Sequence, residues 1–300
     1  MNISADSRPV VVVTGARGFL GRHVVALLAR QACVIALARH WKDEPAHDAV
    51  ERLGADLAGI DWLERLPRRV DAVVHLASVT DTAAAEARPA EAFAVNCLGT
   101  VHLLEYARRV GARIFVFAST GSVYRRQREP LAETVPPAPA GAYAFTKHVA
   151  EQAVQRYRHL FPTVILRFFH PYGPGQPGRM LVPRLVASLR AGRPIRLGGG
   201  EGSVLSFVYV DDAVEAVRRA LALADSVTLN IAAPGEHSVR EVSERLAALL
   251  GVTARYDVDA AAPENEIADT TLMQRLLGYR PRVALGEGLA RVLGYRGAEP

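Results

Sequence analysis

The spacing of hydrophobic residues changes along the chain, and the changes mark alternating strands and helices. Val10 to Val13 with Thr14 form a continuous β-branched run, too short for a helix, that reads as a buried strand. Behind it, FLGRHVVALLAR places Leu20, Val24, Leu27 and Leu28 on one helical face. Apolar runs at 32–38, 71–76 (DAVVHL), 112–119 (ARIFVFAS) and 163–169 (TVILRFF) read as further strands, and a short third strand ends at Asp56-Leu57. Residues 91–109 read as one long amphipathic helix with Asn96 inside it, where the amide is either exposed or bends and hydrates the helix. After 169, Gly and Pro are dense up to Gly178, a change from sheet to loop that marks a domain boundary. A helix over 180–191, the loop GGGEG at 198–202, a strand FVYV at 207–210 and a returning sheet strand VTLNIA at 227–232 follow. Asp211 or Asp212 is expected to cap the helix after FVYV, and Ser238 with Glu241 to form a capping box at 238–250.

The turn between the first strand and the first helix carries chemistry. Gly15, Gly18 and Gly21 fall at three-residue spacing. The first allows a tight turn, the second lets a pyrophosphate approach the backbone, and the third lets the helix pack on the sheet. The helix N-terminus offers unpaired N–H groups and partial positive charge to phosphates. This predicts dinucleotide binding. The second strand ends at Arg39, followed by His40 and Lys42, where an NAD-binding fold normally has an acidic residue. With Arg17 in the glycine loop, these cations favour the 2′-phosphate of NADP, with NAD the alternative and two solvated arginines the plain one. Asp56 is either an adenine ligand or an exposed loop residue. His75 reads as a core or strand-end histidine, and Ala77 and Ser78 follow it where backbone can face a cofactor.

Composition narrows the class. The chain has 300 residues, half of them hydrophobic, but no long uncharged apolar run of the kind that spans a membrane. Cys33 and Cys97 are too few for a disulfide framework, and no metal site is expected. MNISADSR lacks a basic–apolar–cleavage pattern, so a cytoplasmic enzyme is expected. The net charge is +5, but the arginines are scattered, which argues against nucleic acid as a partner. Lysine occurs only at 42 and 147. Lys147 lies four residues after Tyr143, on the same helical face, and the fifth strand delivers Ser119 and Thr120 at its C-terminal end. A tyrosine pKa near 10 is too high for proton transfer at neutral pH, and a neighbouring ammonium lowers it.

TGARGFLG, HLAS, NCLGT, ASTGSVY, YAFTK, LRFFHPYGPG, FVYVDD and LLGYRP together, in this order, resemble blocks of the extended short-chain dehydrogenase/reductase family, in its NAD-dependent epimerase/dehydratase group. The resemblance covers about residues 9 to 293. It implies an α/β fold: a doubly wound parallel Rossmann sheet over 1–170, with 206–233 returning to it, and a smaller C-terminal α/β substrate lobe mainly over 171–300. It implies catalysis by Thr120, Tyr143 and Lys147 with Asn96 as a fourth member, Tyr143 as acid/base and Lys147 on the nicotinamide ribose. The implied cofactor-binding set is Gly15, Arg17, Gly18, Phe19, Leu20, Arg39, Asp56, Leu57, Leu76, Ala77, Ser78, Asn96, Tyr143, Lys147 and His170. The implied substrate-binding set is Ser78, Thr120, Gly121, Ser122, Tyr143, His170 and Arg179. Helices 86–110 and 142–160 would form a four-helix homodimer interface.

Departures from the family narrow the reaction. Its 4,6-dehydratases carry an Asp-Glu pair where Gly121 and Ser122 stand, its decarboxylases usually keep a glutamate at Ser122, and its 3,5-epimerases use a cysteine near Gly121. Hydride transfer with one proton remains. The expected activity is an NAD(P)-dependent oxidoreductase at a secondary alcohol or ketone of a sugar-like, nucleotide-linked or free, small-molecule substrate. The alternatives are a nucleotide-sugar 4-epimerase with tightly held NAD and a non-catalytic dinucleotide-binding protein. Two diphosphate-binding arginines of the family are missing, at Leu205 and in the PENEIAD segment before Asp269, and His170 replaces a usual asparagine. Either Arg179, Arg184, Arg193, Arg196 or Arg240 substitutes, or the substrate carries no diphosphate.

Overall fold

The computed structural model describes residues 8–41 and 47–294. Lys42, one of the cations expected near a 2′-phosphate, lies outside the described residues. The chain divides into two compact units: Met1–Arg125, Pro137–Arg167 and Val214–Leu229 in one, and Arg126–Pro136, Phe168–Ala213 and Asn230–Pro300 in the other.

The first unit is built on strands β1 (Val10–Thr14), β2 (Cys33–Ala38), β3 (Val50–Gly54), β4 (Ala72–His75), β5 (Ile114–Thr120) and β6 (Thr163–Phe168). With the edge strand Val227–Ile231 they form a seven-stranded sheet whose order is Val227–Ile231, β6, β5, β4, β1, β2, β3. The β1–β2, β1–β4, β2–β3 and β4–β5 pairings are all parallel. Strand order reverses beside β1, so the C-terminal ends of β1 and β4 open the crevice in which such sheets bind ligands. The near-continuous apolar runs are explained by burial on both faces: Val12, Val13, Val73, Val74, Phe115, Val116 and Phe117 are fully buried.

Helices α1 (Phe19–Leu28), α2 (Thr82–Ala87), α3 (Pro89–Phe93), α4 (Gly99–Val110) and α5 (Gly141–Arg156) belong to this unit. The long helix expected over 91–109 is interrupted. Ala94–Leu98 forms a π-turn between α3 and α4, and Asn96, at its centre, is buried rather than exposed. The third strand ends at Gly54, so Asp56 and Leu57 lie in the loop after it.

The second unit holds helices Leu181–Arg190, Val239–Leu250, Thr271–Leu277 and Leu285–Val292, and short strand pairs such as Ile195–Gly198 with Tyr256–Asp259. Two capping expectations are corrected here. Ser238 does cap its helix by accepting from Glu241 N, but the Glu241 carboxylate turns to His237 and Arg245 instead of completing a box. The helix after FVYV begins at Val210, and Asp212, inside its first turn, instead accepts from Tyr279 Oη and from the Arg282 and Val283 amides. No described helix is long and apolar enough to cross a membrane.

Candidate active site

The β1–α1 turn is shaped by close backbone approach. A Cβ on Gly21 would stand 2.0 Å from the Gly15 carbonyl oxygen, and one on Gly15 would stand 2.7 Å from Ala77 N. Gly15 also holds φ at +66°, a left-handed conformation that favours glycine. Gly18 is the N-cap of α1 and has no side chain to satisfy the first-turn N–H groups, which stay available to an anion.

A groove in the first unit runs along this turn. Of the expected cofactor residues, Gly15, Arg17, Gly18, Arg39, Asp56, Leu57, Ala77 and Ser78 line it, together with His40, noted beside Arg39, and with Thr14, Leu37, Ala38, Ala55, Val79 and Val95, which were outside the expected cofactor set. Phe19, Leu20, Leu76, Asn96, Tyr143 and Lys147 are not among its lining residues. His170 belongs to the second unit. A glycine cradle that any side chain would fill, bare first-turn amides and a groove reaching the end of β2 fit a dinucleotide. The cations at that end have protein partners: Arg17 Nη1 donates to the His40 carbonyl at 2.8 Å, and Arg39 Nη1 lies 3.9 Å from Glu91. Asp56 Oδ1 accepts from Ala58 N at 3.1 Å, an ordinary Asx turn.

Beneath the groove runs a closed polar relay. His75 is fully buried, and burial first, with Lys147 second, holds its imidazole well below its ordinary pKa, so it is neutral. Thr100 Oγ1 donates to the Asn96 carbonyl at 2.7 Å and must therefore accept from His75 Nε2 at 2.9 Å. His75 Nδ1 then accepts from Thr14 Oγ1 at 2.7 Å, and Thr14 accepts from the Leu76 and Ala77 amides. The network fixes the Nε2–H tautomer and pins the loop after β4 to the end of β1.

The Asn96 side chain extends this framework. Its Oδ1 accepts from Ser78 Oγ at 2.9 Å and Val79 N at 2.8 Å, and its Nδ2 donates to Val79 O and to Thr146 Oγ1 at 2.9 Å. Thr146 Oγ1 donates on to the Tyr143 carbonyl at 2.9 Å. The π-turn thus places Asn96 where one amide ties the groove-lining loop to α5. Thr100 and Thr146 were not anticipated, although NCLGT and YAFTK contain them.

On α5, Tyr143 is half-buried and Lys147, one turn on, is buried with its ammonium 4.0 Å from the centre of the Phe117 ring. Burial pushes the Lys147 pKa down to about 7, against the attraction of Glu151 and then Cys97. Thr120 ends β5, and its Oγ1 accepts from Ser122 N at 3.2 Å, so the hydroxyl can donate its own proton. Gly121–Val123 forms one tight turn with no acidic side chain.

The second unit carries the remaining expected positions. Leu205 is buried and bridges the backbone of Glu266, within PENEIAD. Glu266 is itself buried and faces His170 Nε2 at 3.6 Å and Arg126 Nε at 3.5 Å. His170 has φ +36°, the one described non-glycine residue with positive φ. Of the arginines weighed as substitutes, Arg196 pairs with Asp259 and Arg240 donates to the Gly200 carbonyl, while Arg179, Arg184 and Arg193 are exposed.

The model of the NAD dependent epimerase/dehydratase family matches residues 11–232. The uncharacterized UDP-glucose epimerase YtcB of Bacillus subtilis is 28% identical over 95% of this chain and 97% of its own length. UDP-glucuronic acid decarboxylase 4 of Arabidopsis thaliana is 30% identical over 93% of this chain, which spans 66% of that protein. The crystal structure of Thermus thermophilus UDP-glucose 4-epimerase in complex with NAD is 31% identical and superposes with a TM-score of 0.84 over 97% of this chain and all of that one.

Proposed function

The chain belongs to the NAD dependent epimerase/dehydratase family and is an enzyme of the extended short-chain dehydrogenase/reductase type, and from that premise we propose that it is a nucleotide-sugar 4-epimerase holding NAD(H) through turnover. One observation carries this reading beyond the family. Tyr143 and buried Lys147 share a face of α5, while the turn after Thr120 holds Gly121 and Ser122 and no carboxyl group. A single acid/base suffices to move a hydride and a proton; eliminating water or steering a decarboxylation asks for more. Similar proteins include UDP-sugar 4-epimerases, and the Thermus structure carries NAD. This favours the epimerase over the general oxidoreductase and gives no support to an NADP preference.

The groove of the first unit would hold the dinucleotide, with its pyrophosphate on the Gly15–Gly21 turn and its nicotinamide toward Tyr143. Bound there, the nicotinamide supplies a hydride acceptor and donor for the sugar C4. Tyr143 Oη takes the proton of the C4 hydroxyl and returns it, and the Lys147 ammonium favours the phenolate. Thr120 Oγ1 donates to the C4 oxygen and fixes its distance from Tyr143. Asn96 acts through Thr146 and Ser78 as the tie that holds these groups. Exposed Phe93, Leu98 and Phe145, with the Phe93 and Phe145 rings 5.9 Å apart, form an apolar row suited to a second copy of the chain.

A second reading, a dehydrogenase or ketoreductase for a sugar without a diphosphate, is favoured by buried Leu205 and the Glu266 carboxylate in the second unit. Incubation of the purified protein with UDP-glucose or UDP-glucuronate, without added cofactor, separates the two. The proposal expects an equilibrium mixture of 4-epimers; no epimer, with sugar oxidation only when dinucleotide is supplied, selects the second reading.

A further inference from the structure

A buried charge cluster lies beside the proposed reacting groups without belonging to them. Glu151, one turn past Lys147 on α5, is fully buried. Its Oε1 accepts from Ser119 Oγ and from Arg167 Nε at 2.9 Å, and its Oε2 accepts from Arg167 Nη2 at 2.6 Å. Arg167 Nη1 donates to Tyr124 Oη at 2.6 Å, and the guanidinium lies 4.6 Å from that ring's centre. One carboxylate therefore joins α5, β5 and β6. A buried ion pair is costly unless both partners are hydrogen-bonded, and this one is bonded on both sides. Ser119 immediately precedes Thr120, and Tyr124 follows the Gly121–Val123 turn, so the pair grips both flanks of the segment that presents Thr120.

We propose that Glu151 is a positioning residue for this site: clamped by Arg167, its carboxylate holds the charge of the Lys147 ammonium in an otherwise apolar pocket and, through Ser119, fixes the end of β5. The proposal rests on the reading that Tyr143 and Lys147 are the reacting pair. The groups that face Lys147 narrow the source of that charge. Phe117 of β5 is apolar, His75 of β4 is held neutral, and burial pushes the Cys97 thiol of the π-turn up to about 11, so it stays protonated. Tyr143 and Glu151 share the helix with Lys147, and Glu151 is the carboxylate that opposes the loss of the lysine's proton. Facing Glu151 are Arg167, Ser119 and His148, whose Nδ1 lies 3.9 Å away. Burial has brought Lys147 to about 7, close to neutrality, so a change in one neighbouring charge alters the ionised fraction at working pH. The sign follows: without the Glu151 charge Lys147 loses its proton at lower pH, and the alkaline limb of turnover moves down.

The chain offers a direct test because it contains two lysines. In protein labelled with [ε-13C]lysine, the two signals are assigned with Lys42→Arg and titrated by NMR in wild type and in Glu151→Gln. The Lys147 signal is expected to titrate at least tenfold more acidic, in ionisation constant, in Glu151→Gln, with the alkaline limb of kcat shifted alongside it. Ser119→Ala is expected to leave that titration in place and lower kcat severalfold. If Glu151→Gln does not fold, because Arg167 is left unpaired, the Glu151→Met/Arg167→Met pair removes both charges at similar volume and is expected to show a smaller shift in the same direction, since the opposing Arg167 charge is gone too. An unmoved Lys147 titration in the folded variant overturns the charge role, and an unchanged kcat in Ser119→Ala overturns the strand-end role. The titration is read without turnover, so it stands apart from any failure of the epimerase reading.

Discussion

Two polar clusters, one in each unit, are built in opposite ways. Around Lys147 polar groups close into complete chains: Thr14–His75–Thr100–Asn96 on one side and Ser119–Glu151–Arg167–Tyr124 on the other. In the second unit His170 Nε2 and Glu266 Oε2 face each other at 3.6 Å, beyond hydrogen-bond range, and both are buried without a hydrogen-bond partner. His170 also carries a strained backbone. A satisfied network holds one arrangement and makes reacting groups rigid, whereas unsatisfied buried polar atoms store cost that a ligand or a rearrangement can relieve. The contrast sets a closed polar framework in the first unit against an unsatisfied pair in the second.

The largest expected effect falls on the rigid side. Tyr143→Phe should lower turnover by roughly a hundredfold to ten-thousandfold, while retained dinucleotide, measured by absorbance after denaturation, stays near wild type. Normal turnover would remove the first unit's claim to the chemistry. Next comes Gly21→Ala, which would force a Cβ to within 2.0 Å of the Gly15 carbonyl. Because backbone must move, dinucleotide affinity should fall by about a hundredfold, or ~2.7 kcal/mol, as read by titration calorimetry; unchanged affinity would show that the turn does not hold the pyrophosphate. The smallest effect is expected in the second unit. Glu266 is held below the usual carboxylate range: burial acts to raise its pKa, but His170 and Arg126 outweigh it, so it is an anion at neutral pH. Glu266→Gln should tighten UDP binding severalfold by removing a like charge. Weaker binding would instead make Glu266 part of the substrate's cradle.

The same contrast explains what the sequence revealed. The glycine turn, the strands of the sheet and the Tyr143/Lys147 pair were legible because each depends on local spacing: a period, a turn without side chains, one helical step. The π-turn at Ala94–Leu98 was not, because its residues look helical one by one and only the partners of Asn96, from Ser78 to Thr146, require the extra residue. The Asp212 and Glu241 capping expectations failed for a related reason: tertiary partners, Tyr279 with the Arg282 and Val283 amides in one case and His237 with Arg245 in the other, outcompeted the local bond. Arg17 and Arg39 show the limit most plainly. Their place at the groove was readable, but their engagement with His40 and Glu91 was not.

An epimerase that takes and returns one hydride has no reason to release its cofactor between turnovers, whereas a reductase must exchange it each time. The protein should therefore be purified without added cofactor and denatured, and the released dinucleotide identified and quantified against protein by chromatography. The account predicts close to one NAD(H) per chain. Protein free of dinucleotide, or carrying NADP(H), would contradict it.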